Sequence, residues 1–122
     1  GEVDVIFSQE ELTALVSKSD ELDQAQIFIS DLDMELFAST RILQNNNAFI
    51  TINLVPVINN NQLDFSITQA KLGQQSIPVS IAGCFKNYLL KVWQSQLSVL
   101  NNLKITDVQI KKGELVLTVQ PL

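Results

Sequence analysis

The stretch SIAGCFKNYLLKVWQSQLSVL, residues 80–100, decides the fold, because its apolar residues recur with the 3.6-residue period of an α-helix. Pro78 lies just before it and suits the first turn of a helix. At about 100° per residue, the polar side chains of this helix fall on one narrow strip. They are Ser80, Asn87, Lys91, Gln94, Ser95, Ser98 and Asn101. The rest of the helix surface is therefore almost entirely apolar.

The apolar face of this helix is wider than one flat layer of strands requires. Its centre holds Ile81, Phe85, Tyr88, Leu89, Val92 and Val99. Leu90, Trp93 and Leu97 extend the face around one flank. A helix that lies flat on a sheet needs an apolar stripe only somewhat wider than about 100°. A strongly curved sheet, a second chain or an apolar ligand would each cover the flank, and the spacing leaves all three open.

On both sides of the helix, apolar residues alternate with a period of two, which predicts β-strands. Two strands are predicted within residues 27–43, and one each within 48–56, 63–72, 103–110 and 115–119. The asparagine triplets at 45–47 and 59–61 predict turns, because Asn tolerates left-handed backbone angles. The middle of the chain is therefore predicted to be an antiparallel meander.

Three smaller signals refine the strands. Pro56 predicts a sheet edge or a strand end, because proline cannot donate to the ladder. Lys112 and Gly113 predict the turn of a terminal hairpin. Thr106 and Asp107 interrupt the alternation of the preceding strand, which indicates a β-bulge.

The start of the chain predicts a strand followed directly by a short helix. Val3, Val5 and Phe7 alternate with other residues, and Ser8 to Glu11 then has the form of a capping box. Leu12, Leu15 and Val16 form one side of this helix, which should end near residues 17–19. The whole pattern predicts a single α+β domain spanning residues 1–122. We expect a curved antiparallel sheet of about seven strands wrapped around the one long helix in the C-terminal half, plus the short N-terminal helix.

Composition argues against most catalytic and nucleic-acid functions. The chain has no histidine, which excludes Ser-His and Cys-His relays, and Cys84 is its one cysteine, which we expect to be a buried packing residue. The acidic residues at 20–23 and 31–33 lack the spacing of a calcium loop, and we expect solvated loops there. Net charge is −5 without a basic cluster, so nucleic acid is not an expected partner. We expect no enzyme activity, no metal and no cofactor.

A set of short motifs resembles a known group of proteins. The sequence AKLG at residues 70–73 leads to IP at 77–78, the long helix follows, and VQIKKGEL at 108–115 forms the final hairpin. Together with FSQEEL at 7–12, this arrangement resembles the YpmS-like and LmeA-like bacterial envelope proteins, which are related to tubular lipid-binding (TULIP) domains. The resemblance implies a highly curved sheet wound about the helix, an apolar groove for lipid chains, and an extracytoplasmic location. It also implies tethering to the cytoplasmic membrane by an N-terminal anchor that these residues do not include.

The resulting hypothesis is a noncatalytic domain that binds a lipid or another apolar small molecule between the long helix and the sheet. The helix would contribute Phe85, Leu89, Val92, Trp93 and Leu97, and the sheet would contribute Ile50, Ile52, Phe65 and Ile67. The alternative is a protein-interaction or scaffold module in which the same flank joins a partner or forms a homodimer.

Overall fold

The computed structural model describes residues 1–18, 22–40, 49–96, 100 and 102–122. In these parts of the chain, two helices and eight strands follow one another in nearly the predicted order. The elements are β1 (Val3–Ser8), α1 (Gln9–Ser17), β2 (Leu22–Ile29), β3 (Met34–Thr40), β4 (Phe49–Asn59), β5 (Gln62–Leu72), β6 (Gln75–Ser76), α2 (Val79–Gln96), β7 (Leu103–Lys111) and β8 (Glu114–Pro121). The α+β class is confirmed, and the two-residue strand β6 is an addition to the predicted order.

The strands form two antiparallel sheets, so the prediction of one curved sheet of about seven strands around a single long helix is wrong. One sheet has five strands in the order β2-β3-β4-β5-β6, and the other has three in the order β1-β8-β7. Strand β8 pairs with β1 from Val3↔Val119 to Ser8↔Glu114, which takes the first strand away from the meander. Alternating apolar residues fit either sheet equally well, so the pattern did not reveal this division.

The small sheet meets one end of the large sheet through main-chain hydrogen bonds. The Ile105 N–H donates to the Asn61 carbonyl at 2.9 Å, and the Gly113 N–H donates to the Ile29 carbonyl at 2.9 Å. Asn61 lies in the turn between β4 and β5, and Ile29 ends β2, so β7 runs across that end of the large sheet. The Lys112 N–H also donates to Asp31 Oδ1 at 2.8 Å, which gives the acidic 31–33 loop a structural role.

The core lies between the inner faces of the two sheets and the helices. Ile50, Ile52 and Leu54 of β4 are fully buried, as are Leu115 and Leu117 of β8. Their alternation with more exposed neighbours follows the strand period of two. Both sheets therefore contribute one apolar face to a common core.

Helix α1 begins with the predicted capping box. The Glu11 N–H donates to the Ser8 hydroxyl and the Ser8 N–H donates to Glu11 Oε1, both at 3.1 Å. The helix then lies along the free edge of β2 and bonds to its backbone. The Thr13 hydroxyl accepts from the Ile27 N–H at 2.9 Å and donates to the Ile27 carbonyl at 3.2 Å, while Gln9 Oε1 accepts from the Ile29 N–H at 3.0 Å. Side chains of α1 thus take the place of a neighbouring strand.

The predicted turns at 59–61 and 112–113 are confirmed by their backbone angles. Asn60 and Asn61 have φ of 53° and 63°, and Gly113 has φ of 83°. The bulge predicted near Thr106 is also confirmed, because the β7–β8 register shifts between Ile105 and Asp107. The turn predicted at 45–47 lies outside the described residues.

Pro56 lies inside β4 instead of ending it, and this prediction is only partly right. The residue pairs with Phe65 of β5, so the strand continues through it. Strand β3, on the other side, stops opposite Leu54. Strand β3 therefore does not run beside β4 at Pro56. Proline is accommodated there because no β3 residue needs an N–H donor from that position.

Candidate functional site

A narrow apolar space lies between α1, α2 and the inner face of the five-stranded sheet, and we call it the apolar seam. Every described residue that lines it is apolar. The lining consists of Leu12, Leu15, Val16, Ile27, Met34, Phe65, Leu89, Val92 and Trp93. Its free volume is about 10 Å³, which is at the lower limit for a single water molecule. In this conformation the seam has no room for a ligand.

The residues predicted to bind a ligand are only partly brought together here. Phe65, Leu89, Val92 and Trp93 line the apolar seam. Phe85 is buried in the same core but does not line the seam.

The other sheet residues of the predicted site lie elsewhere. Ile50 and Ile52 are fully buried in the core, away from the seam lining, and Ile67 is half-buried against the core. Leu97 lies outside the described residues.

Helix α1 supplies seam residues that the sequence did not assign to a site. Leu12, Leu15 and Val16 face α2 and the sheet, and Ile27 and Met34 complete the lining. The spacing of the three α1 residues predicted an apolar helix face. It did not indicate that this face lies beside the long helix, because residue spacing within one helix carries no information about its neighbour.

The chain itself covers part of the apolar flank of α2, and Leu90 stays half-buried there. Trp93 is only 7% exposed, and its ring meets the Phe7 ring edge to face with centroids 5.0 Å apart. Leu63 of β5 and Ile105 of β7 lie on the other side of the indole, around a second space of about 30 Å³. The sequence did not predict this second sheet. It covers much of the α2 surface for which a strongly curved sheet, a partner or a ligand was the expected cover.

The two helices are fastened to the sheet in different ways. Helix α1 hydrogen-bonds to the β2 backbone through Thr13 and Gln9. Helix α2 rests on the sheet through buried apolar side chains such as Phe85 and Leu89, and Lys86 Nζ adds an ion pair to Asp64 Oδ1 at 3.7 Å. If the seam opens, α2 is therefore the helix expected to move.

Polar chemistry near the seam is sparse in the part of the chain that the structure describes. There, no three His, Cys, Asp or Glu side chains are grouped so as to hold a metal ion, and no buried polar side-chain atom lacks a partner. Asp33 Oδ2 accepts from the Asn53 amide at 3.1 Å on the outer face of the sheet.

Cys84 is exposed, so the prediction that it packs in the core is wrong. It lies on the opposite side of α2 from the residues that meet the sheet.

Comparison with known proteins provides no family for this chain. No protein-family model matches it, and no curated protein matches its sequence. Of the helices among the described residues, none is long and apolar enough to cross a membrane. The resemblance to envelope lipid-binding proteins therefore stays a prediction from the motifs.

Proposed function

We propose that this chain is a noncatalytic domain that binds the hydrocarbon chain of a lipid, or a similar apolar molecule, in the apolar seam. The observation that carries the proposal is that the described residues lining the seam, which come from two helices and a sheet, are all apolar. A lining of this kind favours hydrocarbon, because a polar ligand would leave its hydrogen bonds unmade. The motif resemblance supports the extracytoplasmic, membrane-tethered location that we include in the proposal.

Binding in the seam requires α2 to move, because the free volume of about 10 Å³ holds no hydrocarbon chain. Opening exposes apolar surface, and the ligand then covers that surface again. Burial of each CH₂ group contributes roughly 0.8 kcal/mol, so a chain of about twelve such groups brings on the order of 10 kcal/mol. We therefore expect affinity to rise with chain length until the ligand fills the space under α2.

Trp93 provides a direct test, because it is the one tryptophan of the chain and it lines the seam. Fatty acids brominated along the chain quench a nearby indole. We expect saturable quenching of Trp93 fluorescence, stronger when the bromine is placed deep in the chain. Val92→Asn, in the seam, should weaken the quenching. The matched variant Val57→Asn, on the exposed side of β4, should leave it unchanged.

The ion pair between Lys86 and Asp64 offers a test of the opening step. Lys86→Ala should favour the open state and tighten ligand binding by up to about fivefold, since such partly exposed pairs contribute up to about 1 kcal/mol. Lys91→Ala removes an exposed lysine from the same helix and serves as the control. Equal ligand affinity of the two variants would show that the ion pair at Lys86 does not limit entry of the ligand into the seam.

The competing proposal is an interaction module that uses the α2 flank as its interface. Leu90 is half-buried at the rim of that flank, so Leu90→Asp should disrupt a partner contact without filling the seam. Absence of saturable Trp93 quenching, together with no lipid extracted from purified protein, would reject lipid binding. Loss of an oligomer on Leu90→Asp would then favour the interaction module.

A further inference from the structure

Within the part of the chain that the structure describes, strand β1 forms one edge of the three-stranded sheet and pairs on one side only, with β8. The hydrogen bonds between β1 and β8 continue beyond the pair Ser8↔Glu114, because the Gln9 N–H donates to the Gly113 carbonyl. Because antiparallel pairing alternates, Gln9, Phe7 and Val5 direct their backbone groups towards β8. Asp4, Ile6 and Ser8 therefore direct theirs to the open edge.

Two of these three residues keep their outward backbone groups available. Ser8 is the N-cap of α1, and its N–H is taken by Glu11 Oε1. The N–H and C=O groups of Asp4 and Ile6 have no backbone partner on the open side within the described residues. The edge thus presents two donors and two acceptors, on residues two positions apart.

Among the described residues, the β1 edge also lacks the protection found at the β2 edge of the other sheet. At β2, Thr13 and Gln9 occupy the outward backbone groups of the strand. At β1, Ile6 is 54% exposed and Val3 is 61% exposed. The one charge in the middle of the edge strand, Asp4, accepts a hydrogen bond from the Thr118 hydroxyl at 2.9 Å, which directs its carboxylate over β8. Exposed apolar residues on an unprotected edge favour pairing with another strand.

We propose that β1 pairs antiparallel with β1 of a second copy of this chain, about a two-fold axis at Val5. In this register, Asp4 of each copy lies opposite Ile6 of the other. All four outward backbone groups of each copy then form hydrogen bonds, four in total across the pair. On the core side, Val3 lies opposite Phe7 and Val5 opposite Val5, so apolar residues meet apolar residues. The two small sheets become one continuous sheet.

Neighbouring registers are less favourable for reasons of charge and hydrogen bonding. A two-fold axis at Asp4 places two aspartates directly opposite each other, and like charges in that position destabilise a sheet. An axis at Ile6 places Asp4 opposite Ser8, whose N–H is already bonded to Glu11. A shift of one residue instead places core-facing side chains opposite outward-facing ones. The axis at Val5 is the register that satisfies both the backbone and the side chains.

The first test is the mass of the protein in solution, measured by sedimentation equilibrium from micromolar to millimolar concentration. We expect a monomer–dimer equilibrium. Ile6→Pro removes an N–H that does not bond to β8, so the fold should persist while dimerisation is lost. Leu90→Asp, on the α2 flank, should leave the dimer intact. A monomer throughout the concentration range would overturn the proposal, and so would a dimer that survives Ile6→Pro.

Charge substitutions at position 6 test the register. Ile6→Glu brings a second carboxylate opposite Asp4 in both symmetric pairs and should weaken dimerisation about tenfold. Ile6→Lys places an ammonium group opposite Asp4 and should retain or strengthen the dimer. Circular dichroism checks that both variants are folded. Equal dissociation constants for the Glu and Lys variants would contradict this register.

A disulfide trap tests the position of the axis. Val5 lies opposite itself in a pair that does not exchange hydrogen bonds, where Cα atoms are about 4.5 Å apart and within reach of a disulfide. In a Cys84→Ser background, Val5→Cys should form a covalent dimer under mild oxidation. Val3→Cys is the control, because the two copies of that residue would lie about 13 Å apart. Cross-linking of Val3→Cys as efficient as that of Val5→Cys would overturn the proposed axis.

Discussion

The contact between Thr13 and the β2 edge predicts a specific loss of stability on Thr13→Val. Valine has nearly the shape of threonine, so packing against β2 is retained while both hydrogen bonds to Ile27 are lost. Each neutral hydrogen bond contributes about 0.5–1.5 kcal/mol net, and a backbone group left unpaired costs more when water cannot reach it. Thr13, Ile27 and Phe28 line an open groove of about 240 Å³, so water has access to part of this contact.

Because water can reach part of this contact, we expect Thr13→Val to lower the free energy of unfolding by only about 1–2 kcal/mol. For a chain of 122 residues this corresponds to a fall in Tm of about 4–8 °C. Thr13→Ser keeps the hydroxyl and has a similar helix propensity, so it is the matched control and should stay close to the wild type.

Urea unfolding measures the loss, and amide hydrogen exchange locates it. In the wild type, the Ile27 N–H should exchange slowly because it donates to the Thr13 hydroxyl. It should exchange much faster in Thr13→Val and remain slow in Thr13→Ser. If the Val and Ser variants are equally stable and the Ile27 amide stays protected in both, side-chain pairing with the strand edge does not hold α1 in place.

Three further substitutions test local features, each by urea unfolding. Ser8→Ala removes the N-cap and should cost about 1 kcal/mol, whereas Ser8→Asp should restore most of the loss; equal stability of the two would argue against the capping box. Gly113→Ala should cost about 1–2 kcal/mol, because φ of 83° strains any residue with a Cβ although the surrounding space is open; no loss would mean that the turn relaxes. Ile52→Ala should cost about 3 kcal/mol because the side chain is fully buried, and Ile52→Val about 1 kcal/mol; a loss below that of the Val variant would contradict the observed packing.

Local elements of the fold were predictable because their causes lie within a few residues. Ser8 and Glu11 are three positions apart and cap α1 reciprocally, as their spacing indicated. Asn61 and Gly113 adopt left-handed backbone angles in the turns where the sequence placed them. The interruption at Thr106 became a bulge because it breaks the alternation of a strand that must still pair with β8.

The division into two sheets was not predictable because it depends on contacts between distant residues. The bonds from Ile105 to Asn61 and from Gly113 to Ile29 turn β7 across the end of the large sheet. None of these residues carries a local signal for such a contact. The α2 apolar face was predicted only in part: Phe85, Leu89 and Trp93 are buried, whereas Ile81, expected at its centre, is 45% exposed. Trp93 is covered by Phe7 of the small sheet, which alternation alone could not assign to either sheet.

The candidate site was predicted only in part, because the sequence pattern shows which residues share a face of one element but not which elements meet. Leu89, Val92 and Trp93 line the seam because the helix period determines which side chains share a face. The contribution of α1 was missed because nothing in the residues around Leu12 indicates which helix they contact. Cys84 was misassigned because a small, weakly polar side chain fits either the apolar face of a helix or its exposed side.

The pairing of β1 with β8 has a consequence for how the molecule is made. Strand β1 leaves the ribosome before the other elements described above, but its partner from Glu114 to Pro121 emerges after all of them. Until then β1 lacks its strand partner, and Phe7 has no sheet to hold it against Trp93. Closure of such a sequence-distant pair is slow, because the loop entropy must be overcome before the contact forms. The newly made chain therefore passes through a period in which its first strand is open to misassembly or to a chaperone.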